Sequence, residues 1–346
     1  MKYLLCGLGV LAVLVFYVWT KLLIVALLML LIVDTFSTGF IAKFLSKKLS
    51  LKQYKIARYA YIIVLPIVFA MFIRTFFVDI YFVPSSSMEN TLFPKDYVVV
   101  NKFSYGTKIP KMMRDIPVIG NLFWVKTKST QNDLYRSLKP LEFFKTEDIV
   151  VFKSVVDHNK FLVKRAIGLP GDTLKVEDSR PLINGAFLYE MEDYAYDYKI
   201  ANKPERSNTI TTYSNKEFGE LPSEAQKKLI KVRVSMGSSK NIHLFPEVMI
   251  TKWTRDDYGP IVIPKAGMRI TLTGENIDFY KEIISKYEGT LLENEMPLEY
   301  TFKNNYYFTM GDNRHNSIDS RYFGFVPESY IQGKVVSVFS KKRLFN

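Results

Sequence analysis

Two apolar stretches separated by a strongly basic segment constrain this chain more than any other feature. Residues 3–33 are apolar except for Thr20 and Lys21, and a second apolar stretch covers residues 59–73. Lysine and arginine side chains place six positive charges in residues 43–58, between the two stretches. About 20 apolar residues are enough for a helix to cross a bilayer, and basic segments stay on the cytoplasmic side. The pattern therefore predicts a membrane anchor with a cytoplasmic basic loop.

The first stretch admits two arrangements. Either one long tilted helix crosses once, or two short segments meet near Trp19–Lys21 and the chain crosses twice. A lysine at mid-bilayer would cost about 2.5–3.5 kcal/mol, which favours an interfacial Lys21. A cleaved signal peptide is disfavoured, because the stretch is long and no small-x-small site ends it. With the basic loop cytoplasmic, everything after Arg74 is expected on the opposite side of the membrane.

Beyond Arg74 the sequence predicts a mainly antiparallel β fold. Over the whole chain, 48% of the residues are hydrophobic and 15% are aromatic, which is ample for a hydrophobic core. Asn184–Gly185 predicts a tight hairpin turn. Residues 276–288 predict a helix, because apolar side chains recur with a 3.6-residue period and Gly289 follows. Short β-branched runs predict strands over 97–100, 148–153, 160–167, 173–176, 261–263, 269–272 and 334–339.

Two stretches fit the β pattern poorly. Residues 108–145 mix apolar and basic residues, and residues 190–233 are charged and rich in Tyr, Asn and Ser. We expect both to be insertions or surface excursions. Phe123 and Trp124 are hypothesised to contact the membrane surface.

The chemistry of a site has to come from hydroxyls and amines. One cysteine and three scattered histidines show no metal-ligand spacing, so neither a metal nor a cofactor is predicted. A nucleophilic hydroxyl without a suitable His–Asp pair needs another base, and a desolvated lysine can serve. Candidates are a serine cluster in the bend of residues 82–102 and Lys164 on an apolar strand. Taken alone, a proline–serine bend is more often a plain turn and a strand lysine more often lies at the surface.

Four segments in order carry a resemblance to a known family. They are VPSSSMENTLFPKDYVVVNKFSYG, DIVVFK, VKRAIGLPGD and MGDNRHNSIDSRYFGFVPE, and they follow the span that ends at Arg74. Together they closely resemble the bacterial type I signal peptidases, which are membrane-bound serine endopeptidases. The resemblance implies transmembrane helices followed by an antiparallel β catalytic domain with an inserted β-rich region. The expected divisions are 1–42 for the first membrane segment, 43–58 for the basic loop, 59–78 for the second span, 79–176 with 305–346 for the catalytic core, and 177–304 for the noncatalytic insertion.

The resemblance also implies roles for individual residues. Ser87 matches the nucleophile and Lys164 the general base, while Ser85 and the backbone N–H of Ser87 match the oxyanion hole. Ser317 matches a serine that orients the lysine amine, and Asp319 with Arg321 matches a supporting ion pair. The side chains expected to line the substrate pocket are Tyr81, Val83, Met88, Leu92 and Val163.

The activity implied is removal of signal peptides from exported preproteins through an acyl-enzyme, with no cofactor. Implied partners are the signal peptides, the lipid bilayer and, functionally, the translocation machinery. The implied location is the bacterial cytoplasmic membrane, with the catalytic domain on its extracytoplasmic side. Nucleic acid is not an expected partner, although the net charge is +13, because so much of that charge lies in the basic loop.

This chain departs from the commoner family pattern at several positions. Ser86 and Lys95 stand where glycine is usual, His315 stands where aspartate is usual, and a cysteine pair found in some members is absent. A self-cleaving Ser–Lys repressor would carry a DNA-binding domain in place of the apolar stretches. A membrane-anchored binding protein that keeps the scaffold without turnover remains the rival from a different class.

Overall fold

The structure is a computed structural model of the 346-residue chain. It divides into two units, Met1–Val78 with Gly106–Pro140, and Asp79–Tyr105 with Leu141–Asn346. The predictions for most of residues 1–42, for Lys21 and for Phe123–Trp124 lie outside the part that the structure describes. The described residues are 30, 33–35, 39–106, 108–110, 135–137, 140–157, 160–201, 203, 209–233, 244–246, 253–290 and 298–340.

The first unit holds helices α1 (Phe40–Lys48) and α2 (Leu51–Phe76). By length and composition, α2 is a candidate membrane span. It begins eight residues before the predicted span, because Ser50 and Gln53 form a capping box. The same unit contains the short pair of strands β3 (Lys108–Pro110) and β4 (Tyr135–Ser137).

The basic segment is helical rather than a loop. Its residues belong to α1 and to the first turns of α2, and only Leu49 and Ser50 separate the two helices. The Ser50 side chain accepts a hydrogen bond from the Gln53 backbone N–H, while Gln53 Oε1 accepts one from the Ser50 N–H. These bonds satisfy backbone donors that a helix start otherwise leaves unpaired. A second helix therefore begins immediately where a longer loop was expected.

The second unit is built on an antiparallel sheet. Among the described residues this sheet has seven strands in the order β1-β2-β18-β5-β6-β16-β17. The pairings β2–β18, β18–β5, β5–β6, β6–β16 and β16–β17 are antiparallel. The strands are β1 (Val78–Phe82), β2 (Tyr97–Asn101), β5 (Ile149–Lys153), β6 (Phe161–Gly168), β16 (Tyr306–Met310), β17 (Val326–Pro327) and β18 (Ile331–Phe339). This confirms the prediction of a mainly β fold.

The central strand β6 is buried on both faces. Every residue from Val163 to Gly168 is buried, where a half-exposed strand would alternate. The consecutive charged residues Lys164 and Arg165 therefore both lie in the interior. This double burial decides the electrostatics of the site.

Smaller sheets and helices complete the unit. The predicted hairpin is present, since Asn184 and Gly185 both adopt positive φ and join β8 (Arg180–Ile183) to β9 (Ala186–Phe187). The predicted helix is α5 (Ile277–Glu288), which Asn276 precedes and Gly289 ends in a left-handed conformation. The remaining strands are β7 (Thr173–Glu177), β8 (Arg180–Ile183), β9 (Ala186–Phe187), β10 (Ala195–Ile200), β11 (Thr211–Ser214), β12 (Leu229–Lys231), β13 (Tyr258–Val262), β14 (Arg269–Leu272) and β15 (Leu298–Thr301). The remaining helices are α3 (Asn215–Glu220), α4 (Ser223–Lys228), α5 (Ile277–Glu288), α6 (Ser320–Phe323) and the 3-10 turn Glu328–Tyr330.

Residues 190–233, expected to be an insertion or a surface excursion, contain a small core in the part that the structure describes. Strand β10 lies between β11 and β12 in a three-stranded sheet. Tyr194, Tyr196 and Tyr198 are buried within this part. Tyrosine combines a large apolar ring with a polar end, so a Tyr-rich and polar stretch can still form a core.

Candidate active site

The serine cluster lies in the turn that follows β1. Val83 fixes this turn at its start, because its N–H donates to the Asp96 carbonyl and its own carbonyl accepts from the Lys95 N–H. Lys95 has a φ of 77°, a left-handed conformation that glycine adopts more easily, in keeping with the glycine usual there. Ser87 is only 9% exposed, and its carbonyl accepts a hydrogen bond of 3.2 Å from the Asn313 N–H.

Lys164 reaches Ser87 from strand β6. Its Nζ donates a hydrogen bond to Ser87 Oγ, and the lysine is 3% exposed. Ser85 Oγ lies 3.3 Å from Ser87 Oγ. Ser87 thus contacts both residues predicted to act with it, although Lys164 is 77 residues from Ser87 in sequence.

Burial controls the charge of this lysine. It lowers the pKa of Lys164 to about 8, because an ammonium loses its hydration in the interior. The carboxylates of Asp319 and Asp312 oppose that shift, and Arg321 adds to it. A substantial fraction of the amine is therefore neutral near pH 8, which is the form able to accept a proton.

Asp319 and Arg321 form a fully buried, two-pronged ion pair. Arg321 Nε and Nη2 donate to the two Asp319 oxygens at 2.9 and 2.8 Å. Asp319 also accepts from the Gly311 N–H at 3.1 Å. Burial alone would raise the pKa of Asp319, but the Arg321 charge and these hydrogen bonds hold it below its usual value. The pair ties α6 to the segment that follows β16.

Ser317 lies beside the other site residues without bonding to the lysine. Its Oγ is buried, and the hydroxyl lies close enough to Asp319 to help lower the pKa of that carboxyl. A Cβ added to Gly311 would fall 2.3 Å from Ser317 Oγ and 2.5 Å from the Ser87 carbonyl oxygen. Only glycine fits between these two serines. The role of Ser317 in orienting the Lys164 amine stays a prediction.

The predicted pocket residues belong to one apolar cluster. Val83, Met88, Leu92 and Val163 pack together with β2 and β5 side chains, and Tyr81 lies partly buried at the edge. Leu92 and Met88 are 0% and 1% exposed. These two residues are the most deeply buried of the five, and Tyr81 is the most exposed. Their role as substrate contacts stays a prediction.

The sequence reasoning missed a second buried ion pair next to the lysine. Arg165 Nε and Nη2 donate to the Asp312 carboxylate at 2.8 and 2.6 Å, and Thr91 Oγ1 donates to it at 2.6 Å. Asp312 thereby joins β6 to the segment after Ser87. The signal available in the sequence was the polar GDNR run beginning at Gly311, but nothing local pairs it with Arg165.

Ser86 also gains a specific partner. Asn316 Nδ2 donates to Ser86 Oγ at 2.9 Å, and Asn313 Nδ2 donates to the Ser86 carbonyl at 3.4 Å. A glycine at position 86 could not accept the first of these bonds. The substitution therefore adds a contact between the nucleophile turn and the segment 311–317, which we call the polar loop.

His315, at the usual aspartate position, faces two carboxylates instead. Its Nδ1 accepts from the Asp197 N–H at 2.9 Å, so the proton of a neutral ring lies on Nε2. That nitrogen is 3.2 Å from Asp256 Oδ1 and 3.1 Å from Ser179 Oγ. The His315 and Asp256 side chains are both 0% exposed. The network connects the polar loop to strand β10 and to the segment before β13.

Strand β10 is also joined to the polar loop directly. The Ala195 N–H donates to the Asp312 carbonyl, and the Arg314 N–H donates to the Ala195 carbonyl, both at 2.9 Å. The Arg314 guanidinium lies 4.1 Å from the Tyr194 ring centroid, with Arg165 at 5.6 Å from the same ring. No side-chain nitrogen of Arg314 has a hydrogen-bond partner in the described part of the chain. The Tyr194 ring is therefore a principal contact of that buried cation.

An antiparallel β unit with a serine hydroxyl bonded to a buried lysine amine fits the class of serine peptidases that use a lysine as base. A family model described as "Signal peptidase, peptidase S26" matches residues 56–233 and 263–340. The chain belongs to this family and is a serine endopeptidase of the signal peptidase type.

Named relatives agree with that assignment. The chain is 30% identical to signal peptidase I of Buchnera aphidicola subsp. Acyrthosiphon pisum, over 79% of this chain and 72% of that protein. It is 24% identical to signal peptidase I of Pseudomonas aeruginosa, over 79% of this chain and 69% of the relative. A solved signal peptidase I from Enterococcus faecalis V583 is 22% identical, covers 57% of this chain and 98% of its own, and has a TM-score of 0.25. We draw no argument from that structural likeness.

Proposed function

We propose that this protein is a membrane-bound peptidase that removes signal peptides from exported preproteins with a Ser87–Lys164 dyad. The observation that carries the proposal is the hydrogen bond between Lys164 Nζ and Ser87 Oγ inside a buried site. The lowered pKa of Lys164, about 8, supports its use as a base. The family assignment supports the substrate class, since the relatives are named signal peptidase I.

In the acylation step, neutral Lys164 accepts the proton of Ser87 while Ser87 Oγ attacks the scissile carbonyl carbon. The negative charge that develops on the carbonyl oxygen is met by the Ser87 N–H and by the hydroxyl of Ser85. One such donor is worth about 10²–10³ in rate. The lysine then gives its proton to the leaving amine, the peptide bond breaks, and the signal peptide stays as an ester on Ser87.

In the deacylation step, Lys164 accepts a proton from water while the hydroxide attacks the ester carbonyl. The ester bond breaks, Ser87 recovers its proton from the lysine, and the signal peptide leaves as a carboxylic acid that releases its proton to the surrounding water. Every proton taken by the amine is returned within the cycle. The proposed steps use these side chains, the Ser87 backbone N–H and water.

The surrounding ion pairs hold this geometry. Asp319–Arg321 and Asp312–Arg165 keep two carboxylates near the lysine while each is already neutralised by an arginine. An unpaired carboxylate in that position would favour the charged ammonium and weaken the base. We assign Ser317 to orienting the amine, since it shares the close packing around Gly311.

Substrate recognition is proposed to follow from small apolar pockets. Signal peptides end in small-x-small residues. An extended peptide beside the Ser87 turn would present its P1 and P3 side chains to the cluster of Tyr81, Val83, Met88, Leu92 and Val163. Small side chains suit this cluster because its members are already closely packed.

The membrane arrangement is proposed from sequence and supported by α2. We assign α2 as a crossing, residues 43–58 to the cytoplasmic side, and the catalytic segments 79–176 and 305–346 to the extracytoplasmic side of a bacterial cytoplasmic membrane. Residues 177–304 are assigned as the noncatalytic insertion. A functional link to the translocation machinery follows from the substrate class.

The test uses the full chain in detergent and a preprotein with Ala at P1 and P3. Ser87→Ala and Lys164→Ala should each lower the cleavage rate by at least about 10³-fold, because either change removes the nucleophile or its base. Ser223→Ala and Lys175→Ala, at exposed positions on α4 and β7, are the matched controls and should cleave normally. Normal cleavage by Ser87→Ala or Lys164→Ala would overturn the dyad, and an uncleaved preprotein with the unaltered chain would favour the rival scaffold role.

A further inference from the structure

Helix α1 presents two apolar faces, and α2 covers only one of them. Ile41 and Leu45 border a small cavity against Tyr54 and Tyr61 of α2. Phe40 and Phe44 are 67% and 46% exposed, and their rings stack with centroids 6.3 Å apart. Apolar rings with this much exposed surface are unfavourable in water, and they are better accommodated at an apolar–aqueous boundary.

The same short segment is strongly cationic. Residues 40–58 contain no aspartate or glutamate. All the basic side chains of the segment are exposed, and Lys48 Nζ lies 4.8 Å from the Phe44 ring centroid. We call residues 40–58 the basic tip; its cations are Lys43, Lys47, Lys48, Lys52, Lys55 and Arg58.

The length of α2 indicates where the basic tip would lie relative to the bilayer. From Tyr59 to Phe76 the helix is about 27 Å long at 1.5 Å per residue, close to the roughly 30 Å thickness of the hydrocarbon core. From Arg58 back to Ser50 it extends about 12 Å further. The lysines of the basic tip would then lie in and just beyond the headgroup layer, with the aromatic rings of α1 at the boundary where such rings are favoured.

We propose that the basic tip binds the headgroups of anionic phospholipids at the membrane surface, with its lysines on the phosphates and Phe40 and Phe44 in the interface. The inference rests on the proposed crossing by α2. Lipid is favoured over nucleic acid as the partner because bulky apolar side chains alternate with the cations. Leu51, Ile56 and Tyr59 are 73%, 61% and 67% exposed along α2.

The test measures lipid retained by the full chain in native mass spectrometry, with phosphatidylglycerol or phosphatidylcholine added to the detergent. We expect the unaltered chain to retain phosphatidylglycerol in preference. Changing Lys43, Lys47, Lys52 and Lys55 to Gln should lower that preference at least about tenfold, since each basic residue at an anionic surface contributes about fivefold. Changing the same four to Arg should keep it, because the charge is unchanged.

A matched control changes four exposed lysines of the second unit, Lys145, Lys216, Lys228 and Lys265, to Gln. This variant should keep the lipid preference. An unchanged preference in the basic-tip Gln variant, or an equal loss in the control, would overturn the inference. A competition experiment adds an oligonucleotide to the unaltered chain and to a Phe40→Ser, Phe44→Ser variant. If the oligonucleotide displaced phosphatidylglycerol equally from both, the inference would also be overturned, because the site would then bind polyanions in general.

Orientation is measured separately with reporters fused after Lys52 and after Asn346. We expect the first to be cytoplasmic and the second extracytoplasmic. The opposite orientation would overturn the proposed crossing. A correct orientation without lipid preference would overturn the lipid inference alone.

Discussion

At the scale of single residues, the sequence points to the proposed reacting groups but not to their surroundings. Ser87 and Lys164 stand out through their motifs, and the structure brings them into contact. Their neighbours do not stand out, because the partners are far apart along the chain. Arg165 and Asp312 are separated by 147 positions, and nothing local to either residue signals the pairing. The depth of burial of Lys164 likewise depends on β6 being covered on both faces.

Among the positions where this chain departs from the family pattern, His315 has the clearest consequence for stability. Replacing it by the aspartate usual in the family would place a third carboxylate beside Asp197 and Asp256. Because the side chain at this position is buried, water could not screen that charge. We expect His315→Asp to lower the free energy of unfolding by about 3 kcal/mol or more, because a third buried carboxylate would repel the two already there, and Arg255 is already engaged with Asp256. Urea unfolding of the full chain in detergent measures this loss.

Two further variants separate charge from shape at this position. His315→Asn keeps a neutral donor and acceptor and should lose less stability than His315→Asp. Adding Asp256→Asn to His315→Asp should recover part of the loss, since it removes one of the repelling charges. Equal stability of His315→Asp and the unaltered chain would show that the two carboxylates do not constrain this site.

At the scale of elements, the sequence correctly predicted those features whose signal lies in neighbouring residues. The hairpin at Asn184–Gly185 and the helix α5 were predicted because turn chemistry and helical period are local. The sheet of β10, β11 and β12 was missed, since its tyrosines are buried against each other and against distant cations. The capping box at Ser50 is also local, but the charges around it led us to expect a loop.

The contact of β10 with the polar loop yields an element-scale prediction. Tyr194→Leu removes the ring that covers the Arg314 guanidinium and leaves a buried cation without that contact. We expect a loss of about 2–4 kcal/mol in unfolding free energy, together with a lower kcat, because Arg314 belongs to the loop that contacts Ser87. Thermal unfolding and preprotein cleavage of the full chain give the two readouts.

The matched control is Tyr198→Leu on the same strand. Tyr198 stacks on Phe218 with centroids 4.5 Å apart, and within the described residues the cations near this sheet lie over the Tyr194 and Tyr196 rings instead. This change should cost stability through lost packing and leave kcat near normal, while Tyr194→Phe should keep both. If both leucine variants lowered kcat equally, the sheet would act on the site through general stability alone.

At the scale of the whole molecule, the sequence predicted the fold class and the order of the motifs, and the family assignment agrees with the predicted recognition. What it could not predict is the environment that the assembled unit creates around Lys164. The central strand, the polar loop and two arginine–carboxylate pairs meet only in the folded chain. Burial in this environment lowers the pKa of that amine to about 8, although the Asp319 and Asp312 carboxylates oppose the shift.

The pH dependence of kcat/KM for preprotein cleavage by the full chain is the most direct test of the proposed dyad. Because only the neutral amine can accept the Ser87 proton, lowering the pH should protonate Lys164 and slow cleavage. We expect kcat/KM to fall about tenfold per pH unit well below a midpoint of about 8, and to level off above it. A profile that stays flat between about pH 6.5 and 9.5 would contradict a buried lysine as the base.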